Sequence, residues 1–334
     1  MSKIFDPNPS GVAQLINSPN QWAKDMWRDG CANHWMPQEV DMSKDGKQWK
    51  DGETLDDSEK LLIKRTLGLF AAGESLVNNS IASVERVYIT DGACRQYMSR
   101  KDFEESLHNW TVETCCEAYG LDVKEVAEAY KNIPTIKAKD EFLMKSLDSF
   151  GKDFNINSNE GRQQFIKNMF VFYMICEGTW FFTNFALILS LGRQNKLPGL
   201  CDQIQYTLRD ESLHVKFGET VINQAREEYP GIWTKKFQEE LIDIMKEGVN
   251  IEVEYAKDIL PHGVLGVNAE MLEHYVKFLA NTRLRAVGLE FQYSEGASNP
   301  FTWLKEQQDS TGMTAFFERR EKNYQQAGVM EDDF

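Results

Sequence analysis

Residues 168–192, NMFVFYMICEGTWFFTNFALILSLG, form the most apolar stretch of the chain, with one acidic side chain, Glu177, near its middle. A helix that is apolar on every side either crosses a membrane or lies at the centre of a large soluble bundle. No second run of this kind accompanies it, and Arg193 and Lys196 follow closely. The stretch therefore reads as the buried central helix of a bundle. A carboxylate in such company is costly to bury unless it is paired or holds a metal. The run thus predicts both a bundle built around it and a site at Glu177.

The rest of the chain supplies the partners. From Asp57 onward, apolar residues recur at three- and four-residue spacing behind an acidic start, the signature of an amphipathic helix. SRKDFEESLHNWTVETCCEAYGL reads as a second helix, capped by Ser99 or Asp102. GRQQFIKNMFVFYMICEGTWFFTNFALILSL is a third, and LPGLCDQIQYTLRDESLHVKFGETVINQAREEY a fourth, with Pro198 near its start. Further helices are expected over residues 233–258, 268–286 and 312–324, with loops at 151–161 and 260–268. No stretch alternates with period two, so the fold class is all-α. Residues 1–52, with Pro7, Pro9, Pro19 and Pro37, read as an irregular segment packing on a helical domain of 53–310. Residues 311–334 are expected to form a terminal helix and tail.

Charge and cysteine usage narrow the partners. A net charge of −15 argues against a nucleic-acid backbone or an anionic membrane surface, since both need a basic face. Six cysteines without C-x-x-C spacing, and a start lacking a basic then apolar leader, point to free thiols in a reducing cytoplasm.

Residues able to bind metal fall in a regular order: Glu74, Glu105-x-x-His108, Glu177, Glu211-x-x-His214. Each long helix contributes one member. With 31 Glu and 5 His in 334 residues, about half an E-x-x-H is expected by chance, and two occur. Residues three apart on a helix share a face, so each pair can point inward together. Glu74, in GLFAAGESLV, has the same apolar surroundings as Glu177. We match this order to a known arrangement, the di-metal carboxylate site of ferritin-like helical bundles. Four carboxylates and two imidazoles favour two divalent first-row ions, iron or manganese. Cys176 adjoins Glu177 but projects about 100° away on a helix, and reads as core.

At these residues the chain resembles the small, radical-generating subunit of class I ribonucleotide reductase. GESLVNN, FEESLH, CEGTWFF and LRDESLHVKFG are similar to the family's ligand segments in order and spacing, and CANHWMPQEVDMSKD to its N-terminal segment. The resemblance implies a ferritin-like bundle with a dinuclear centre held by Glu74, Glu105, His108, Glu177, Glu211 and His214. It implies that the metals react with an oxygen species and store one oxidising equivalent, which passes to a large subunit for reduction of ribonucleotides to deoxyribonucleotides. Trp35 and Asp210 match transfer positions, linked to the metals through His108. The end of the chain, NYQQAGVMEDDF, resembles the family's tail, with a transfer tyrosine, Tyr324, and an acidic peptide that docks on the large subunit. A homodimer is also implied.

One position departs from the family. Most members carry a radical tyrosine four residues after the first ligating histidine, and here that residue is Val112. The chain most resembles the class Ic branch, in which an inert residue, usually Phe, stands there and a manganese/iron pair holds the oxidant. Tyr206, five residues before Glu211, matches a tyrosine that moves electrons during activation in that branch. Manganese/iron is the leading assignment, with dimanganese or di-iron as alternatives, and dimanganese would bring in a flavodoxin-like activator. The competing readings are a manganese/iron ligand-binding oxidase of the same superfamily and ferritin-like iron storage. The oxidase forms a valine–tyrosine cross-link from the position occupied here by Phe172.

Overall fold

Asp56 opens the first long helix by a reciprocal cap. Its carboxylate accepts from the Glu59 backbone N–H at 2.8 Å, while the Glu59 side chain accepts from the Asp56 N–H at 2.9 Å, satisfying two of the donors every helix start leaves over. The computed structural model describes residues 3–304, apart from 7, 9, 14, 17, 152 and 265. In chain order the helices are α1 (Gln21–Ala32), α2 (Ser43–Lys50), α3 (Asp57–Ser80), α4 (Arg86–Tyr88), α5 (Gly92–Tyr119), α6 (Val123–Ala127), α7 (Ala129–Asn132), α8 (Pro134–Leu147) and α9 (Asn159–Met169). After a π-helical stretch at Phe170–Phe181 come α10 (Phe182–Gly192), α11 (Pro198–Glu228), α12 (Lys235–Ile259) and α13 (Ala269–Ala286). Among the described residues there is no strand, only an isolated bridge between Val264 and Val267. The chain is all-α, as its periodicity predicts.

The apolar run lies at the centre. Ninety-four per cent of its most apolar window, within the continuous helical segment Asn159–Gly192, is buried inside the protein. Its π-helical part packs against α11, and α3 packs against α5. π-Helical turns leave an i→i−4 ladder incomplete, and here the gaps are closed. Thr179 Oγ1 donates to the Met174 carbonyl at 2.8 Å, and Arg283 Nε from α13 donates to the Gly178 carbonyl at 2.8 Å. Periodicity reads this segment as a plain helix. The departure widens the backbone on either side of Glu177.

Two local readings are corrected. The second long helix begins at Gly92, where Asp91 accepts from the Cys94 N–H at 2.9 Å, so Ser99 and Asp102 are interior rather than caps. Ser99 Oγ bonds back to the Arg95 carbonyl, and Asp102 accepts from Asn78 Nδ2. Residues 1–52, read as irregular, contain α1 and α2. An interior glycine, Gly46, makes α2 intrinsically weak, and tertiary contacts hold it. Trp49 stacks on Tyr119 of α5 at 4.5 Å. Buried Asp45 accepts from the N–H groups of Gly199 and Leu200, each at 2.8 Å, so α2 caps the start of α11.

The chain divides into two units, Met1–Ser298 and Asn299–Phe334. All the helices above lie in the first. In the second, the described residues 299–304 form a turn in which Asn299 Oδ1 accepts from the Phe301 N–H at 2.9 Å. The helix expected over 312–324, and Tyr324, lie outside the described residues.

Gly218 of α11 sits directly over Tyr173, where an added Cβ would lie 2.2 Å from the ring's Cγ. Gly218→Ala should therefore destabilise the metal-free protein by about 1–3 kcal/mol through overpacking, seen as a lower midpoint in denaturant unfolding. An unchanged midpoint would mean Tyr173 yields at no cost.

Candidate metal centre

Four helices converge on one buried cluster. Glu74 comes from α3, Glu105 and His108 from α5, Glu177 from the π-helical stretch, and Glu211 and His214 from α11. None is more than 2 % exposed. His108 Nδ1 lies 3.1 Å from Glu211 Oε1, 3.4 Å from Glu74 Oε2 and 3.7 Å from Glu105 Oε2. His214 Nδ1 lies 3.2 Å from Glu105 Oε1 and 3.3 Å from Glu211 Oε2. Glu105 and Glu211 thus each turn one oxygen toward each imidazole.

The donor atoms form two groups, each within a 4.8 Å span: Glu74, Glu105, His108 and Glu211, and Glu105, Glu177 and His214. They share Glu105, so two cation positions would lie side by side. Glu74 Oε2, Glu177 Oε2, both oxygens of Glu105 and Glu211, and Nδ1 of both histidines are buried without a hydrogen-bond partner. Unpaired buried acceptors are costly and need an explanation. Two divalent ions would provide it, and oxygen with imidazole nitrogen is a donor set that suits first-row metals.

Each outward ring nitrogen faces a carboxylate, and that of His214 is within hydrogen-bond distance of it while that of His108 is not. His108 Nε2 is 3.6 Å from Asp210 Oδ2, and His214 Nε2 is 2.9 Å from Glu104 Oε2. Such carboxylates fix the orientation of ligating imidazoles. Arg100 Nε donates to Glu104 at 2.7 Å. Buried Trp35 donates its indole N–H to Asp210 Oδ2 at 2.7 Å, and its ring centroid lies 5.2 Å from that of Tyr206. Trp35, Tyr206, Asp210 and His108 therefore form one continuous chain of contacts leading to the cluster.

Without an ion, burial and neighbouring charges shift the proton affinities of the cluster in opposite directions. Burial pushes Glu74 and Glu177 well above the ordinary carboxylate range. Burial acts upward on Glu105 too, but Lys101 and His214 outweigh it and hold this carboxyl well below. Burial opposes charge on both imidazoles, yet Glu74 on His108, and Glu211 and Glu105 on His214, raise them well above the usual histidine range.

Comparison with known proteins agrees with this geometry. Residues 13–300 match the family model described as ribonucleotide reductase, small chain. The chain belongs to this family. It is 42% identical to the ribonucleoside-diphosphate reductase subunit beta of Chlamydia pneumoniae over 97% of this chain and 93% of that protein. The ribonucleotide reductase R2 subunit from Clostridium botulinum superposes with a TM-score of 0.84 at 23% identity, covering 91% of this chain and 93% of that one. A mutant of the R2-like ligand-binding oxidase with an aerobically reconstituted Mn/Fe cofactor shares the fold, with a TM-score of 0.67 at 20% identity over 84% of this chain and 99% of that one. The ferritin-like bundle and the ribonucleotide reductase identification follow from these matches.

All six ligand candidates come together, and Cys176 belongs to neither donor group. Val112 is buried on α5, one turn beyond His108. Sequence reasoning missed Glu104 and Lys101. Glu104 was legible, because it precedes Glu105 as Asp210 precedes Glu211. Lys101 is fully buried, with Nζ 2.8 Å from Glu177 Oε1 and 3.0 Å from Glu105 Oε1. Burial disfavours its charge, but Glu105 and Glu177 more than compensate and raise its pKa well above the lysine norm. In the sequence its only signal is a position four before Glu105.

Two outcomes are expected. Glu177→Ala should lose at least one equivalent of bound metal by plasma emission analysis, and normal content would remove Glu177 from the ligand set. An ion is held by deprotonated carboxylates and imidazoles, and the raised groups hold their protons more tightly than free side chains do. Metal uptake should therefore release protons and tighten as pH rises. Calorimetry in two buffers of different ionisation enthalpy measures this, and identical heats would contradict it.

Proposed function

We propose that the chain is the radical-generating small subunit of a ribonucleoside-diphosphate reductase whose oxidising equivalent is stored on the metals. The observation that carries this reading is Val112, a buried residue without a phenol one turn beyond His108 in an otherwise complete ligand set. Glu74, Glu105, His108, Glu177, Glu211 and His214 would hold the two ions. When bound and reacted with an oxygen species, such a pair supplies a one-electron oxidant. Val112 offers nothing oxidisable beside it. This favours the class Ic type and a manganese/iron pair, with dimanganese, served by a flavodoxin-like activator, or di-iron as alternatives.

The chain's own residues have defined tasks. Asp210 accepts the Trp35 indole N–H and lies beside His108 Nε2, so it can hold or pass the proton that accompanies oxidation of the indole. Trp35 and Tyr206, with their rings 5.2 Å apart, supply two oxidisable side chains in contact. Tyr324, outside the described residues, would continue the route toward the large catalytic subunit, and the acidic tail within 311–334 would dock there. The helical domain, 53–310 with 1–52 packed on it, would work as a homodimer in the cytoplasm. Phe172 stands where the ligand-binding oxidase needs its cross-linking tyrosine, which weighs against that reading.

Anomalous diffraction at the iron and manganese edges on protein activated in air, with electron paramagnetic resonance, tests the proposal. Two metals and no tyrosyl signal are expected, and a stable tyrosyl radical would overturn it. Deleting residues 331–334 should leave metal content unchanged and abolish nucleotide reduction with the large subunit. Activity surviving that deletion would remove the docking role.

A further inference from the structure

The two donor groups are not equal, and the difference is one side chain. Lys101 of α5 is fully buried, and its two ion pairs go to Glu177 and Glu105. Both belong to the group completed by His214, and Glu177 belongs to that group alone. At the end marked by Glu74 and His108, no lysine or arginine among the described residues pairs with Glu74. Beyond this end lies Asp210, whose carboxylate faces the outer nitrogen of His108, while Glu104 faces that of His214 in the other group.

Lys101 is also held in place. The Tyr173 ring lies under its ammonium at 4.5 Å, and the Tyr173 hydroxyl donates to buried Glu85 at 2.5 Å. A Cβ on Gly218 would collide with Tyr173, so α11 packs directly against that residue. The ammonium therefore has little room to swing away when an ion arrives.

We infer that Lys101 is a positioning residue that makes the two ion positions unequal, weakening the one formed by Glu105, Glu177 and His214 so that the Glu74–His108 position fills first. This rests on the two-metal reading above. Its chemistry is direct. The ammonium occupies Glu177 Oε1, leaving Oε2 as the oxygen without a hydrogen-bond partner, and so presents Glu177 to an ion through one oxygen. A resident positive charge also opposes a second one nearby, in an interior where screening is weak. Stepwise filling is what a centre of two different metals requires, because equal positions would give mixtures.

The test is an anaerobic titration of the metal-free protein with Mn(II), counting bound ions by equilibrium dialysis and distinguishing single from coupled ions by electron paramagnetic resonance. Wild-type protein should bind in two steps separated by about tenfold or more in affinity, a readily resolved difference, with an isolated-ion signal preceding the coupled one. Lys101→Gln should tighten the second step about tenfold and leave the first unchanged. Lys101→Arg, which keeps the charge, should preserve the separation. Wild-type protein filling both positions in one step, with a coupled signal from the first equivalent, overturns the proposal without recourse to any variant. So does a Lys101→Gln protein whose two steps match those of wild type. Wild-type protein that binds no Mn(II) would instead sink the two-metal reading itself.

Discussion

Burying four carboxylates and two imidazoles at the middle of an apolar bundle is the constraint on which the rest of the structure depends. Unpaired charges do not survive in such surroundings, so each must meet a proton, a counter-charge or a metal. Glu105 and Glu211 face both imidazoles, Lys101 bridges Glu105 and Glu177, and Glu104 and Asp210 back the two histidines. The remaining inward atoms have no hydrogen-bond partner. A cluster of this kind is tolerable only if its frame is rigid and its unpaired atoms have a ligand in prospect.

The helices carrying the ligands have capped starts and approach one another closely. Asp56 with Glu59, and Asp91, cap α3 and α5, while Asp45 reaches from α2 to cap α11. Gly218 lets α11 approach Tyr173 at a distance no other residue would allow. The same N-terminal region brings Trp35 onto Asp210. The segment that looks least structured in the sequence thus both caps a ligand-bearing helix and supplies the indole that donates to Asp210.

Much of this was legible in the residues. Glu177 in an apolar run requires a partner whatever the fold, and two E-x-x-H pairs at helical spacing say where partners are. Glu104 was legible by its parallel with Asp210. Lys101 was not, because a lysine four before a glutamate is the usual pattern of an exposed helical pair, and only burial distinguishes this one. The π-helical stretch and the helicity of residues 43–50 were not legible either. Local propensity opposes a helix at Gly46, and contacts distant in sequence override it.

By itself, then, the sequence determined the all-α class, the buried central helix, the six ligand candidates and the absence of a phenol at Val112. These depend on residue type and spacing along one helix, which chain order alone specifies. Only the tertiary structure decided which oxygen faces which imidazole, that Trp35 donates to Asp210, and that Lys101 pairs with Glu177, which belongs to one donor group alone, besides the shared Glu105. Those relations join residues separated by up to 175 positions in the chain. They are set by how side chains from different helices share one small volume, which no periodicity within a single helix records.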